Sequence, residues 1–173
     1  MRRLLVATLG TAMACLAAAC SGGSTAPPTL HGSPVAVGCD QIILHTRHPF
    51  ADGYRRVLGI VAVPPSYLRQ VIATPGGQWP YWRKAGLEVK PGHDPVTVSV
   101  AAGWRKRAAV TWGNGEPAVA SLRIAACPSA RHVWHIYAGG FLLRTRSACV
   151  PLVFRVAGRT RTLRFGLDRR CRT

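Results

Sequence analysis

Apolar side chains recur at every second position along much of this chain, and this period of two restricts its fold more than any other feature. The pattern is clearest over 96–100, 150–156 and 162–167. Successive side chains of a strand point to opposite faces, so this spacing is typical of strands with one face in a core. The 18 glycines and 13 prolines, scattered along the chain, argue against a helical bundle.

Turn signals between the apolar runs predict antiparallel pairing. An Asn-Gly pair at 114–115 lies between the runs 108–112 and 119–124 and predicts a hairpin. The run 57–63 predicts a strand buried on both faces, and 66–72 predicts one short helix. We therefore predict an all-β chain that folds as a single antiparallel β-sandwich, immunoglobulin-like or Greek-key in topology.

The N-terminus predicts export. A basic start and an apolar run form a secretory signal peptide over residues 1–19. Cys20 follows three alanines, and this segment resembles a bacterial lipoprotein signal, which implies that Cys20 is lipidated (with palmitate, for example) and anchors the chain to the outer face of the cell membrane. With an ordinary signal cut the protein is secreted instead. Residues 20–34 are rich in Ser, Gly, Thr and Pro, which predicts a flexible tether after the lipidated Cys20. The sandwich domain is predicted to cover residues 35–173.

The cysteine count supports an oxidising compartment. Of six cysteines, Cys15 lies in the signal and Cys20 takes the lipid. An even set of four remains, which predicts two disulfides in an exported chain. Three pairings are possible, and we favour Cys127–Cys149 with Cys39–Cys171, the second of which would join the two ends of the domain.

Several short motifs stand out between residues 96 and 171. They are Thr-Trp-Gly-Asn-Gly at 111–115, Cys-Pro-Ser at 127–129, Tyr-Ala-Gly-Gly-Phe at 137–141 and Cys-Val-Pro-Leu at 149–152. This stretch resembles a group of small secreted or lipid-anchored proteins of GC-rich actinobacteria. The resemblance carries over no activity, catalytic residue, cofactor or ligand.

The charge of the chain predicts an anionic partner. The formal charge is +17, and without Arg2 and Arg3 the exported chain keeps 21 basic residues against 6 acidic ones, or +15. Such a charge attracts polyanions. Outside a bacterial membrane these are wall polymers and lipid headgroups rather than nucleic acid. The candidate ligand-binding residues form an aromatic and basic cluster and a basic C-terminal run: Trp79, Tyr81, Trp82, Arg83, Lys84, Arg159, Arg161 and Arg164. The alternative for the aromatic rings is a place in the core.

No motif of catalysis is present. The sequence lacks a nucleophile elbow, a phosphate loop, Cys-x2-Cys and His-Glu-x2-His. Two His-x2-His pairs, at 45–48 and 132–135, supply four nitrogen ligands for a metal only if they converge. Residues three apart on a strand point to opposite faces, so we predict no metal site and no cofactor.

We predict a non-enzymatic lipoprotein of the cell envelope that binds anionic envelope components. One alternative is a structural lipoprotein that binds a protein partner of the envelope. Another is a metal-binding or hydrolytic protein that uses the four histidines.

Overall fold

The computed structural model describes residues 32–49, 53–74, 77–113, 117–129 and 133–172. Within these ranges the chain forms fifteen strands, two short 3₁₀ turns and no α-helix. The strands are β1 (Val35–Val37), β2 (Leu44–Thr46), β3 (Arg55–Val57), β4 (Val61–Val63), β5 (Tyr67–Leu68), β6 (Ile72–Ala73), β7 (Tyr81–Lys84), β8 (Leu87–Val89), β9 (Val96–Val100), β10 (Ala108–Val110), β11 (Ser121–Ile124), β12 (Trp134–Tyr137), β13 (Gly140–Leu143), β14 (Ala148–Val156) and β15 (Arg159–Leu167). The 3₁₀ turns are Cys39–Gln41 and Ala102–Trp104.

The strands make three sheets around one core. The six-stranded sheet has the order β1-β11-β9-β14-β15-β5, the four-stranded sheet β10-β13-β7-β6, and the five-stranded sheet β2-β12-β8-β4-β3. The pairs β1–β11 and β15–β5 are parallel, and the other pairs are antiparallel. The prediction of an all-β, mainly antiparallel chain is confirmed. A single two-sheet sandwich is not confirmed, because there are three sheets and one of them is mixed.

The β14–β15 hairpin is the longest element and follows the predicted period of two. Alternate residues of β14 are buried, among them Leu152 and Phe154. Phe154 lies opposite Val98 of β9, so the inner face of this sheet is continuous and apolar. Ala157 and Gly158 connect the strands with φ of 46° and 74°. Two positive φ values are the signature of the two-residue turn that matches the twist of a hairpin.

Two predicted elements are wrong. The run 57–63 is not one strand, because the chain reverses between β3 and β4 through Leu58 and Gly59, with φ of 52° and 81°. Leu58 is half-buried against the core and Gly59 is exposed, and neither is polar, so the sequence carries no polar turn signal there.

The predicted helix at 66–72 is replaced by β5 and β6, which pair with β15 and β7. Gln70 has φ of 66°, which no right-handed helix accepts. Strand pairing satisfies the backbone instead: the Gly166 amide donates to the Ser66 carbonyl at 2.7 Å. The Asp168 carboxylate also accepts from the Val71 amide at 3.1 Å.

Of the hairpin predicted around the Asn-Gly pair, the described residues show one bridge, between Val110 and Val119. Val110 and Val119 exchange two backbone hydrogen bonds of 2.9 and 3.0 Å, so the chain does reverse here. The two strands then separate, since β10 joins the four-stranded sheet and β11 the six-stranded one. The pair at 114–115 lies outside the described residues.

The four predicted cysteines form two disulfides, but the favoured pairing is wrong. The bonds are Cys39–Cys127 and Cys149–Cys171. The parallel pairing of β1 with β11 places the residues that follow both strands side by side, and this brings Cys39 to Cys127. Cys149 lies opposite Gly166, and the chain folds back after β15 so that Cys171 reaches it.

The first disulfide should contribute more stability than the second, because it closes the longer loop. The sequence separations are 88 and 22 residues. The chain-entropy model gives about 4.6 and about 3.4 kcal/mol for these loops. We expect the pair Cys39→Ala/Cys127→Ala to lower the free energy of unfolding more than Cys149→Ala/Cys171→Ala, measured by urea titration. Peptide mapping without reduction checks the pairing, and a recovered Cys127–Cys149 peptide would contradict it.

Candidate functional site

The predicted aromatic and basic cluster is divided between the two faces of the four-stranded sheet. Trp79, just before β7, is buried at 8% exposure with the Arg144 guanidinium 4.7 Å from its ring centroid. Tyr81 is half-buried and packs against the core. Trp79 and Tyr81 therefore serve in core packing, which was the alternative to ligand binding for these rings.

Trp82 and Lys84 lie on the other face of β7. They line a groove of about 480 Å³ together with Leu142 of β13. Arg83, between them, points to the opposite side, and its Nη1 donates to the Lys84 carbonyl at 2.6 Å. Of the predicted cluster, the structure places only Trp82 and Lys84 together at this groove.

The three predicted arginines of β15 are also divided by the period of two. Arg159 and Arg161 share a face with Leu163 and Phe165, and Arg164 lies on the opposite face. Burial along β15 changes from exposed at Arg159 to fully buried at Phe165. The inner face of the hairpin is therefore apolar at its base and basic at its tip.

A cleft opens between this basic tip and the β3–β4 turn. Its volume is about 740 Å³. We call it the arginine cleft, and the residues that line it are Arg55, Arg56, Val57, Leu58, Gly59, Arg159, Thr160, Arg161 and Leu163. Four of the nine are arginines, and no acidic residue is among the described residues that line the cleft. A concave surface with charges of one sign focuses its potential and concentrates counter-ions.

Arg55 occupies the inner end of the arginine cleft. It pairs with Val63 across the β3–β4 hairpin, so its side chain lies on the core side of the five-stranded sheet. Its guanidinium carbon lies 5.3 Å from the centroid of the Phe165 ring. This contact between a cation and a ring face joins β3 to β15 at the inner end of the cleft.

The Arg55 guanidinium is not satisfied by the protein. Its Nε and Nη2 atoms are shielded from solvent and have no hydrogen-bond partner. Burial lowers the pKa of Arg55 from its ordinary value. Donors removed from water without a partner cost free energy. Among the described residues, none supplies an acceptor for these two donors.

Sequence reasoning missed Arg55 and Arg56. They are a hundred residues away from Arg159 and Arg161 in the chain, and the predicted single strand at 57–63 hid the turn that brings them there. The only local signal was the Arg-Arg pair at the start of an apolar run.

The histidine pairs converge in part. His45 of β2 and His135 of β12 lie opposite each other in antiparallel register, with ring centroids 5.0 Å apart. His135 is buried, and its Nε2 has no hydrogen-bond partner. His48 lies two residues beyond β2, and His132 falls outside the described residues. Among the residues described, no group of three potential ligands is placed to hold a metal ion.

The predicted signal, Cys20 and most of the tether lie outside the described residues, which begin at 32. Over the part of the chain that the structure describes, no helix is long and apolar enough to cross a membrane. The two disulfides fit folding in an oxidising, extracytoplasmic compartment.

No family model, no curated protein and no solved structure matches this chain. The candidate site is therefore defined by its own geometry. Four arginines line the arginine cleft, against three in each of two smaller concavities that share Arg164 and Arg172.

His135 should make the fold less stable in acid. Burial, together with the neighbouring His45, lowers the pKa of His135, whereas an unfolded histidine has a pKa of about 6.5. The unfolded chain therefore takes up the proton first as pH falls. The free energy of unfolding has its full value above about pH 6.5. It falls as the pH drops through the pKa of His135 in the folded state, with a slope of at most about 1.4 kcal/mol per pH unit.

We expect His135→Gln to reduce this acid-dependent loss, measured by urea unfolding at several pH values between about 7.5 and 5. His93→Gln, at an exposed turn, is the matched control and should follow the parent protein. Equal pH slopes in parent and His135→Gln would contradict the assignment.

Proposed function

We propose that this protein is a non-enzymatic binding protein of the bacterial cell envelope, and that it holds anionic envelope components in the arginine cleft. Three features support the location: the signal-like N-terminus, Cys20 in a segment that resembles a lipoprotein signal, and two disulfides. In this proposal a lipid on Cys20 fixes the chain to the outer face of the membrane, and the tether lets the domain reach its ligand.

The arginine cleft is the observation that carries the proposal. Four arginines line one concavity, and one of them, Arg55, has desolvated donors without an acceptor. A general excess of surface charge would not require Arg55, Arg159 and Arg161 to lie together on the inner side of two facing hairpins. Guanidinium groups form forked, charge-assisted hydrogen bonds with phosphate and carboxylate oxygens, which favours anions as ligands.

The proposal is for binding without catalysis. The sequence has six acidic residues and no nucleophile elbow. Glu88 is fully buried in the five-stranded sheet, and Asp168 accepts a backbone hydrogen bond at the end of β15. Neither of these carboxylates lines the cleft.

Binding to polyanions should depend strongly on salt and on the cleft. The test uses the full chain with Cys20→Ser, exported so that its disulfides form. We expect its affinity for an anionic wall polymer or for phosphatidylglycerol vesicles to fall at least about tenfold between roughly 50 and 500 mM NaCl, because screening weakens charge pairs. Neutral phosphatidylcholine vesicles are the negative control.

A matched pair of double variants locates the binding. Arg159→Gln/Arg161→Gln removes two charges from the cleft, and Arg123→Gln/Arg155→Gln removes two from the outer face of the same sheet. We expect the first pair to lose affinity and the second to keep most of it. Equal losses would move the binding away from the cleft, and no salt-dependent binding to any polyanion would refute the proposal.

A protein partner is the second candidate function, and one observation favours it. Ile43 and Leu44, at the free edge of the five-stranded sheet, are 50% and 44% exposed. Exposed apolar residues on a sheet edge are typical of contact surfaces. Retention of one envelope protein that resists high salt and is lost in Leu44→Lys would support this function over the first.

A further inference from the structure

We propose that the arginine cleft contains a specific phosphodiester site centred on Arg55, and that its ligand is a phosphodiester-linked polymer that enters the cleft. This inference rests on the proposed function and names the chemistry of its ligand. It assigns Arg55 to a site that the charge pattern of the sequence did not reveal.

We place Arg55 at the centre of the site because one hydrogen-bonding edge of its guanidinium has no acceptor. Nε and one terminal nitrogen form the edge of a guanidinium that takes two oxygens of one anion in parallel. In Arg55 both Nε and Nη2 lack a partner and are out of contact with solvent. An oxyanion that enters the cleft supplies both acceptors as the side chain turns towards it, and the desolvation cost of the empty state is recovered on binding.

The arrangement of the arginines favours phosphate over carboxylate. Arg55 comes from one wall of the cleft, and Arg159 and Arg161 come from the facing wall. Arg56 also lines the first wall, but its guanidinium lies 5.7 Å from the Trp134 ring on the other face of β3. A carboxylate presents its two oxygens in one plane and is satisfied by a single fork. A phosphate is tetrahedral, so its oxygens accept from guanidinium groups on both walls.

The spacing along the hairpin favours a polymer over a small ion. Arg159 and Arg161 are two residues apart on β15 and lie on the same face. Their Cα atoms are therefore separated by about 7 Å along the strand. Two cations at this distance, beside a third at the inner end, are placed for successive phosphates of an extended chain.

The shape of the cleft favours a free chain over a membrane surface. Arg55 lies at the inner end against Phe165, whereas the β14–β15 tip and the β3–β4 turn project on either side of it. A flat layer of headgroups contacts the projecting residues first. A flexible chain enters a concavity of about 740 Å³, which is within the usual size range of ligand sites.

The test compares three anionic probes against the full chain with Cys20→Ser. They are a synthetic glycerol-phosphate oligomer, a polyglutamate of equal charge, and phosphatidylglycerol vesicles. We expect the phosphodiester oligomer to bind more tightly than polyglutamate at equal salt, by at least about fivefold, because only its tetrahedral groups use both walls. Calorimetry gives the dissociation constant of each probe.

Single variants test the role of Arg55. We expect Arg55→Gln to weaken oligomer binding by at least about tenfold, the usual effect of losing hydrogen bonds to a charged group. Arg55→Lys keeps the charge but loses the forked pair of hydrogen bonds, and we expect it to bind the oligomer as weakly as Arg55→Gln does. Arg155→Gln removes the same charge from the outer face of the hairpin and should change binding by less than about twofold.

A folding control keeps the result interpretable. Removing the desolvated donors of Arg55 offsets the loss of its contact with the Phe165 ring, so we expect Arg55→Gln and Arg55→Met to unfold at a urea concentration close to that of the parent. Weak binding by a variant that keeps its stability identifies a site that serves the ligand rather than the fold.

Each failure has a separate meaning. If none of the three probes binds, the proposed function fails. If all three bind equally and Arg55→Gln behaves like Arg155→Gln, the proposed function holds and the phosphodiester site is refuted. If vesicles bind more tightly than the oligomer and Arg55→Gln abolishes that binding, the ligand is a lipid headgroup and the polymer assignment is refuted.

Discussion

The packing of the inner face of the β14–β15 hairpin against the core is the interaction on which the rest of the structure depends. These are the two longest strands. β14 pairs with β9 in the same sheet, and Phe165 of β15 packs against Phe141 of the four-stranded sheet with ring centroids 5.3 Å apart. The same face continues past the core as Arg161 and Arg159. The fold and the candidate site are therefore two ends of one hairpin, and the change from phenylalanine to arginine along β15 marks the boundary.

Much of the fold could be predicted from the period of two, because alternation reports directly which residues share a face. It correctly indicated β9, β14 and β15, and the division of Arg159 and Arg161 from Arg164 follows from the same rule. The prediction failed at the turn through Leu58 and Gly59, since the apolar residues in and around this turn resemble a buried strand. The disulfide pairing failed for another reason: the parallel contact of β1 with β11 joins distant segments, and no local signal marks it.

The candidate site could be predicted only in part, because its two walls come from distant parts of the chain. The basic tip of β15 was visible as a run of arginines, but its partner, Arg55, required knowledge of the β3–β4 turn. The aromatic cluster at 79–84 shows the opposite error. Its composition indicated a ligand platform, whereas the fold uses Trp79 and Tyr81 for packing and leaves Trp82 beside Lys84 at the groove.

The position of the first disulfide has a mechanical consequence. Tension on the chain ahead of Val35 would act first on β1, which is held to the sheet by a ladder of only three residues. Such a short ladder at a sheet edge would open under a small load. Cys39 follows it directly, and its covalent bond to Cys127 carries the force into the centre of the chain beyond β11. A domain built in this way can be pulled from its N-terminal side and lose one edge strand while the cleft keeps its shape.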